Sequence, residues 1–171
     1  MKLYHGGIEA IVCPQIIMVN YGRDFGPAFY TTDIKTQAER WAWRRYQTTA
    51  RHNGEAQVKA VVSVYEFDEK AARAQLDFLD FPEATLEWLE LVVACRANNA
   101  FSPGQDVIVG KIANDRVGET ITFVLNGIMR KEDALERLKF QHINNQIAFC
   151  TERALAHLSY ESSYIVESYN D

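Results

Sequence analysis

Two hydrophobic periods run through this chain, and they interleave irregularly from one end to the other. Short runs rich in apolar, β-branched and aromatic residues predict strands at Leu3–His5, Ala28–Thr31, Val58–Phe67, Asp106–Ile112, Gln146–Cys150 and Tyr160–Glu167. The first is expected to enter a Gly6-Gly7 turn, and the second follows the turn-forming Asp24-Phe25-Gly26-Pro27. Helical spacing predicts a helix over Lys35–Thr49, with Ala38, Trp41, Ala42 and Tyr46 on one stripe and Asp33 as the N-cap. Further helices are predicted over Glu69–Leu76, over Glu83–Ala97 with Pro82 suiting its first turn, over Thr120–Asn126 closed by Gly127, and over Lys131–Phe140. Thr151–Leu158 reads as a helix capped by Thr151, and Ala113-Asn114-Asp115-Arg116 as a polar loop. Such mixing predicts an α+β fold. No repeat, low-complexity tract or Pro/Gly-rich linker divides the chain, so residues 1–171 are expected to form one domain.

Composition narrows the class. Hydrophobic residues make up 47% and charged residues 24% of the chain, the balance of a folded globular protein rather than a disordered chain or coiled-coil rod. A formal charge of −5 argues against a broad phosphate-neutralising surface. The basic group Arg40, Arg44, Arg45 and Arg51 reads first as a solvated helix face, with contact to a nucleotide or nucleic acid as its alternative. The first residues lack an export signal and no apolar run reaches the ~18 residues of a membrane span, so a cytoplasmic protein without membrane contact is expected. Cys13, Cys95 and Cys150 lie far apart and fit neither a disulfide framework nor a zinc site; they read as reduced core thiols.

The familiar catalytic motifs are missing. His5, His52, His142 and His157 show no metal-ligand spacing, and neither GxxxxGK[ST], GxGxxG nor a GxSxG elbow occurs. What stands out is polar chemistry at three strand ends: His5-Gly6, Phe29-Tyr30-Thr31-Thr32 and Asn145-Gln146-Ile147-Ala148-Phe149. Taken singly, Tyr30 and Trp41 would read as core aromatics, His5 as a hydrogen-bonded structural residue, and Trp88 in Glu87-Trp88-Leu89 as helix packing.

The ordered set says more. Leu-Tyr-His-Gly, Asp-Phe-Gly-x-x-Phe-Tyr-Thr-Thr, Glu-Trp-Leu, Ala-Asn-Asp-Arg and Asn-Gln-Ile-x-Phe-x-Thr-Glu-x-Ala-Leu follow one another from Leu3 to Leu155. In this order they resemble a bacterial family of small domains of unknown function, itself similar to a divergent branch of the ADP-ribosyltransferase superfamily. The resemblance implies a split β-sheet with flanking helices and NAD as co-substrate, held as in the His-Tyr-Glu branch of diphtheria-type toxins and poly(ADP-ribose) polymerases. His5 would bond a ribose of NAD, the Gly6 backbone would hold the nicotinamide amide, and Tyr30, next to Thr31, would stack on the nicotinamide ring. Trp41, eleven residues after Tyr30, would cover its other face.

One position departs from the pattern: Gln146 stands where active members of that branch usually carry glutamate. A carboxylate there would stabilise the oxocarbenium character that builds as the nicotinamide–ribose bond breaks, whereas an amide offers a dipole and positioning. Glu152 reads as a first-turn helix residue, while Asp24, Asp115 and Asn114 are further cleft candidates. By resemblance the expected activity is a mono-ADP-ribosyltransferase acting as a toxin or defence effector on a macromolecular acceptor, with a neutralising antitoxin protein as partner. The alternatives are a non-catalytic NAD-, ADP-ribose- or partner-binding module and, last, an RNA phosphotransferase using Arg23 and Arg116.

Overall fold

The computed structural model describes residues 1–18, 22–53, 58–112, 115–138 and 144–169. The elements are β1 Lys2–Gly7, β2 Phe29–Thr31, α1 Lys35–Asn53, β3 Val61–Phe67, α2 Glu69–Gln75, β4 Phe78–Phe81, α3 Leu86–Ala97, β5 Val107–Ile112, α4 Asp115–Leu125, α5 Lys131–Leu138, β6 Asn144–Phe149, α6 Glu152–Leu155 and β7 Leu158–Ile165. The fold is α+β, as the mixed pattern predicts.

The strands form two sheets, ordered β1-β3-β7 and β2-β6-β5-β4. All neighbours run antiparallel except β4 and β5, which are parallel. Among the described residues the backbones of the two sheets are joined at an isolated antiparallel bridge between Tyr4 and Thr32, where each backbone N–H bonds the other's carbonyl at 2.8 and 2.9 Å. Leu3, Tyr65 and Phe67 of the first sheet and Phe29, Val107, Ile147 and Phe149 of the second belong to one buried cluster, which therefore lies between the sheets. On the opposite face of the second sheet, Tyr30 and Ala148 join Trp88, Leu89 and Val92 of α3, Ile121 of α4 and Leu138 of α5. Ala38 and Ala42 of α1 pack with Val62 on the outer face of the first sheet.

Several sequence expectations are corrected. Gly6 and Gly7 continue β1 rather than turning, because the missing side chain serves packing: a Cβ on Gly6 would lie 2.2 Å from the Ala38 carbonyl and 2.8 Å from the Ala42 nitrogen. The turn before β2 does fall at Gly26, whose φ of +77° suits glycine alone. Helix α1 runs to Asn53, past the expected Thr49; Thr32 Oγ accepts from the Ile34 N–H ahead of it, and Asp33 Oδ1 accepts from the Asn145 side chain. Helix α3 begins at Leu86 behind the Thr85 cap, leaving Pro82 outside, and β4 is a strand too short for its pattern to announce. Asp115 and Arg116 belong to α4 rather than a loop, while Ala113 and Asn114 lie outside the described residues, as does Phe140 after α5. Thr151 caps a single turn, and Leu158 already opens β7. Cys13 is exposed, unlike the buried Cys95 and half-buried Cys150.

Asp106, 1% exposed, secures one end of the second sheet. Its carboxylate accepts from Arg153, Thr151 Oγ and the Asp77 N–H. Burial pushes its pKa up, but those donors outweigh it and hold the carboxyl at about 2 against an ordinary 3.8. Folding therefore holds the proton off, so this contribution is complete above about pH 4 and is lost as pH falls toward 2. Urea melts at pH 5 and pH 2.5 should show Asp106→Asn destabilising by about 2 kcal/mol at the higher pH and by clearly less at the lower. Gly6→Ala should cost about 2 kcal/mol and lower the melting temperature by about 5 °C through overpacking against α1; an unchanged melt would refute that close contact.

Candidate functional site

Beyond the Tyr4–Thr32 bridge, β1 and β2 part. Backbone groups of successive strand residues point to alternate edges, so with Tyr4 bonded to Thr32 the N–H and C=O of the buried Gly6 are also directed to the β2 side of β1. At that level His5 Nδ1 lies 2.7 Å from the Tyr30 carbonyl. A side chain thus takes the acceptor that strand pairing would have used, and the sheet stays split. A carbonyl only accepts, so Nδ1 carries the proton and, in the neutral ring, Nε2 keeps a lone pair. Burial pushes the His5 pKa below its ordinary value, the Tyr30 bond opposes this, and the charges of Arg23 and Arg45 push it lower.

The expected site residues divide between two faces. His5 stacks on Phe29 at 4.7 Å between ring centroids, on the inner face. Tyr30 and Gln146 share the outer face: Tyr30 pairs with Ala148, and Gln146 stands two residues from Ala148, diagonal to Tyr30. Gly6 turns toward α1 on that same side. Thr31 is buried, its hydroxyl donating to the Ile147 carbonyl at 3.1 Å. Trp41, placed by its spacing on the apolar stripe, is 52% exposed on α1.

Tyr30 is only 7% exposed. Its hydroxyl donates to the Gly26 carbonyl and accepts from the Phe25 N–H, and the Arg23 guanidinium lies 5.2 Å from its ring centroid. The loop that carries Arg23 is pinned by Asp24, whose Oδ1 accepts from Arg96 Nε at 2.7 Å and lies 2.6 Å from its Nη2. Asp24 is thus engaged with α3.

Sequence reasoning missed Gln37. It is 8% exposed, and its Nε2 donates to the Asn145 carbonyl at 2.7 Å, beside Gln146. The carboxamide oxygens of Gln37 and Gln146 are both buried without a hydrogen-bond partner. The available signal was helical spacing, since Gln37, Trp41 and Arg45 recur every fourth residue of α1 and form one stripe. Glu152 is in the first turn of α6, as its position predicts. Asn114 and His142 lie outside the described residues. Among the described residues no group of three or more histidine, cysteine or carboxylate side chains could hold a metal ion, and no helix is long and apolar enough to cross a membrane.

Fold and site together define an α+β protein of two sheets bridged at Tyr4–Thr32, with His5, the buried Gly6 and Tyr30, and the two glutamines Gln37 and Gln146 grouped around the strand ends beside that bridge. The chain belongs to the family described as protein of unknown function (DUF3990), whose profile matches residues 1–160. No protein with a curated description matches it.

Followed by NMR, His5 should titrate with a midpoint below 6.5, and the His5 signal should vanish in His5→Asn. A midpoint above 6.5 would contradict the neutral, Nδ1-protonated ring.

Proposed function

We propose that this protein is an NAD-dependent mono-ADP-ribosyltransferase whose substrate enters the split between β1 and β2. The observation that carries the proposal is the split itself: His5 bonded to the Tyr30 carbonyl at 2.7 Å, with the Gly6 backbone directed to the β2 side of β1 and Gln146 diagonal to Tyr30. A primary amide needs one acceptor and one donor, which a strand-edge C=O and N–H supply together. The Nε2 lone pair of His5 suits a ribose hydroxyl. The guanidinium over Tyr30 indicates what that ring face accepts, a flat cation. The pyridinium of NAD is another, and Arg23, displaced by it, would remain near enough to meet the diphosphate with Arg45.

In the reaction the C1′–N bond breaks with its electron pair leaving on nicotinamide, and the ribose carbon gains oxocarbenium character. A nucleophilic oxygen or nitrogen of a macromolecular acceptor then bonds C1′ and gives up its proton to solvent, while nicotinamide leaves neutral. Gln146 presents an amide oxygen to this centre, so catalysis here rests on positioning more than on charge. A neutral catalytic side chain favours one slow transfer. It fits a toxin or defence effector kept in check by an antitoxin protein.

The test is nicotinamide release from NAD by purified protein, with and without cell extract as acceptor. Release should fall about 10- to 100-fold in His5→Ala. Gln146→Glu should raise NAD hydrolysis about tenfold, because the new carboxylate would stabilise the developing cation. Tyr30→Ala is a poor control, since removing so buried a ring should cost about 3 kcal/mol or more of stability. Binding of NAD without release, even with extract present, would replace the enzyme reading by a binding module, which the amide at position 146 would then explain.

A further inference from the structure

We infer that Gln37 is a second ligand-binding residue of the split: its carboxamide oxygen and that of Gln146 form a paired acceptor for the vicinal hydroxyls of the ribose that carries nicotinamide. This rests on the reading of the split as an NAD site.

Gln37 is fixed before any ligand arrives. Strand β2 ends at Thr31, so the edge of β6 at Asn145 has no strand partner on that side, and Gln37 Nε2 donates to the Asn145 carbonyl at 2.7 Å instead. The opposite amide orientation would set two oxygens against each other, so Oε1 is the atom turned away from that carbonyl. The Asn145 side chain is held in turn, its Nδ2 donating to Asp33 Oδ1 at 3.0 Å.

The result is a pre-oriented acceptor one peptide unit from Gln146. Both oxygens are buried and lack a hydrogen-bond partner. Buried acceptors are satisfied in nearly all folded proteins, and these two exceptions, on Gln146 and on the residue that grips the adjoining Asn145 carbonyl, can take donors from outside the chain. Both are neutral oxygens, which suit neutral O–H donors, and a vicinal diol presents two such donors on adjacent carbons. Gln37 lies one helical turn before Trp41 on the α1 stripe, on the side where the nicotinamide would lie.

Calorimetric binding of NAD, and of the analogue whose nicotinamide ribose lacks both hydroxyls, should be compared in the unmutated protein and in Gln37→Met, which keeps side-chain length. The unmutated protein should bind the analogue about tenfold or more weakly than NAD, and in Gln37→Met that preference should shrink several-fold because one acceptor is gone. An undiminished preference would overturn the role of Gln37 while leaving the NAD reading intact. Failure of the unmutated protein to bind NAD would overturn that reading and the pairing with it. If Gln37→Met does not fold, NAD analogues lacking only the 2′- or only the 3′-hydroxyl of that ribose should each bind the unmutated protein several-fold more weakly than NAD; binding as tight as NAD by either would overturn the paired acceptor.

Discussion

The architecture depends on a single pair of backbone hydrogen bonds, those between Tyr4 and Thr32. Among the described residues they join the backbones of the two sheets at one point, and the next acceptor along β2, the Tyr30 carbonyl, goes to the His5 ring instead of to Gly6. Had strand pairing continued, β1 and β2 would close into one continuous sheet with no opening. The buried cluster shared by the sheets keeps them together elsewhere, so the split is a local feature of an otherwise well-packed molecule. Its chemistry follows from topology, since backbone left unpaired at a strand edge must find a partner in water or in a ligand.

How far this could be read from the sequence varied by element. Strands β3 and β5 were legible because they carry runs of β-branched residues, β1, β2, β6 and β7 because short stretches with apolar or aromatic residues stand between turn and cap signals, and the cap at Thr151 and the closing Gly127 followed from local chemistry. Gly6 was legible as a special position but not as a packing position, because its constraint comes from Ala38, distant in sequence. β4 was missed since its four residues owe their extended form to pairing with β5. Trp41 matched the helical stripe yet half its surface is exposed, because the small residues Ala38 and Ala42 make the close contact with β1.

The candidate site shows the same limit. His5, Tyr30 and Gln146 stand out as strand-end polar or aromatic residues, and the order of the words around them ties them together. Gln37 carries no such mark: a glutamine in a helix is ordinary, and its meaning arises only because β2 ends early and leaves the Asn145 carbonyl within its reach. The grip of Arg96 on Asp24 is equally silent in sequence, for it joins a loop to a helix 72 positions away.

The Asp106 node lies at the far end of the strand pair that presents Gln146. Phe149 pairs with Val107 beside the node, while Gln146 pairs with Gly110, three residues and roughly 10 Å along the strand. The pair is thus held like a beam on two supports, by an ion pair and a helix cap at one end and, beside the glutamine, by Gln37 and Asp33 on Asn145. Of the two supports, the one at Asp106 is an ion pair and the one beside Gln146 is made of hydrogen bonds to an amide, so the two ends of one strand answer to different conditions: acid loosens the first and leaves the second in place.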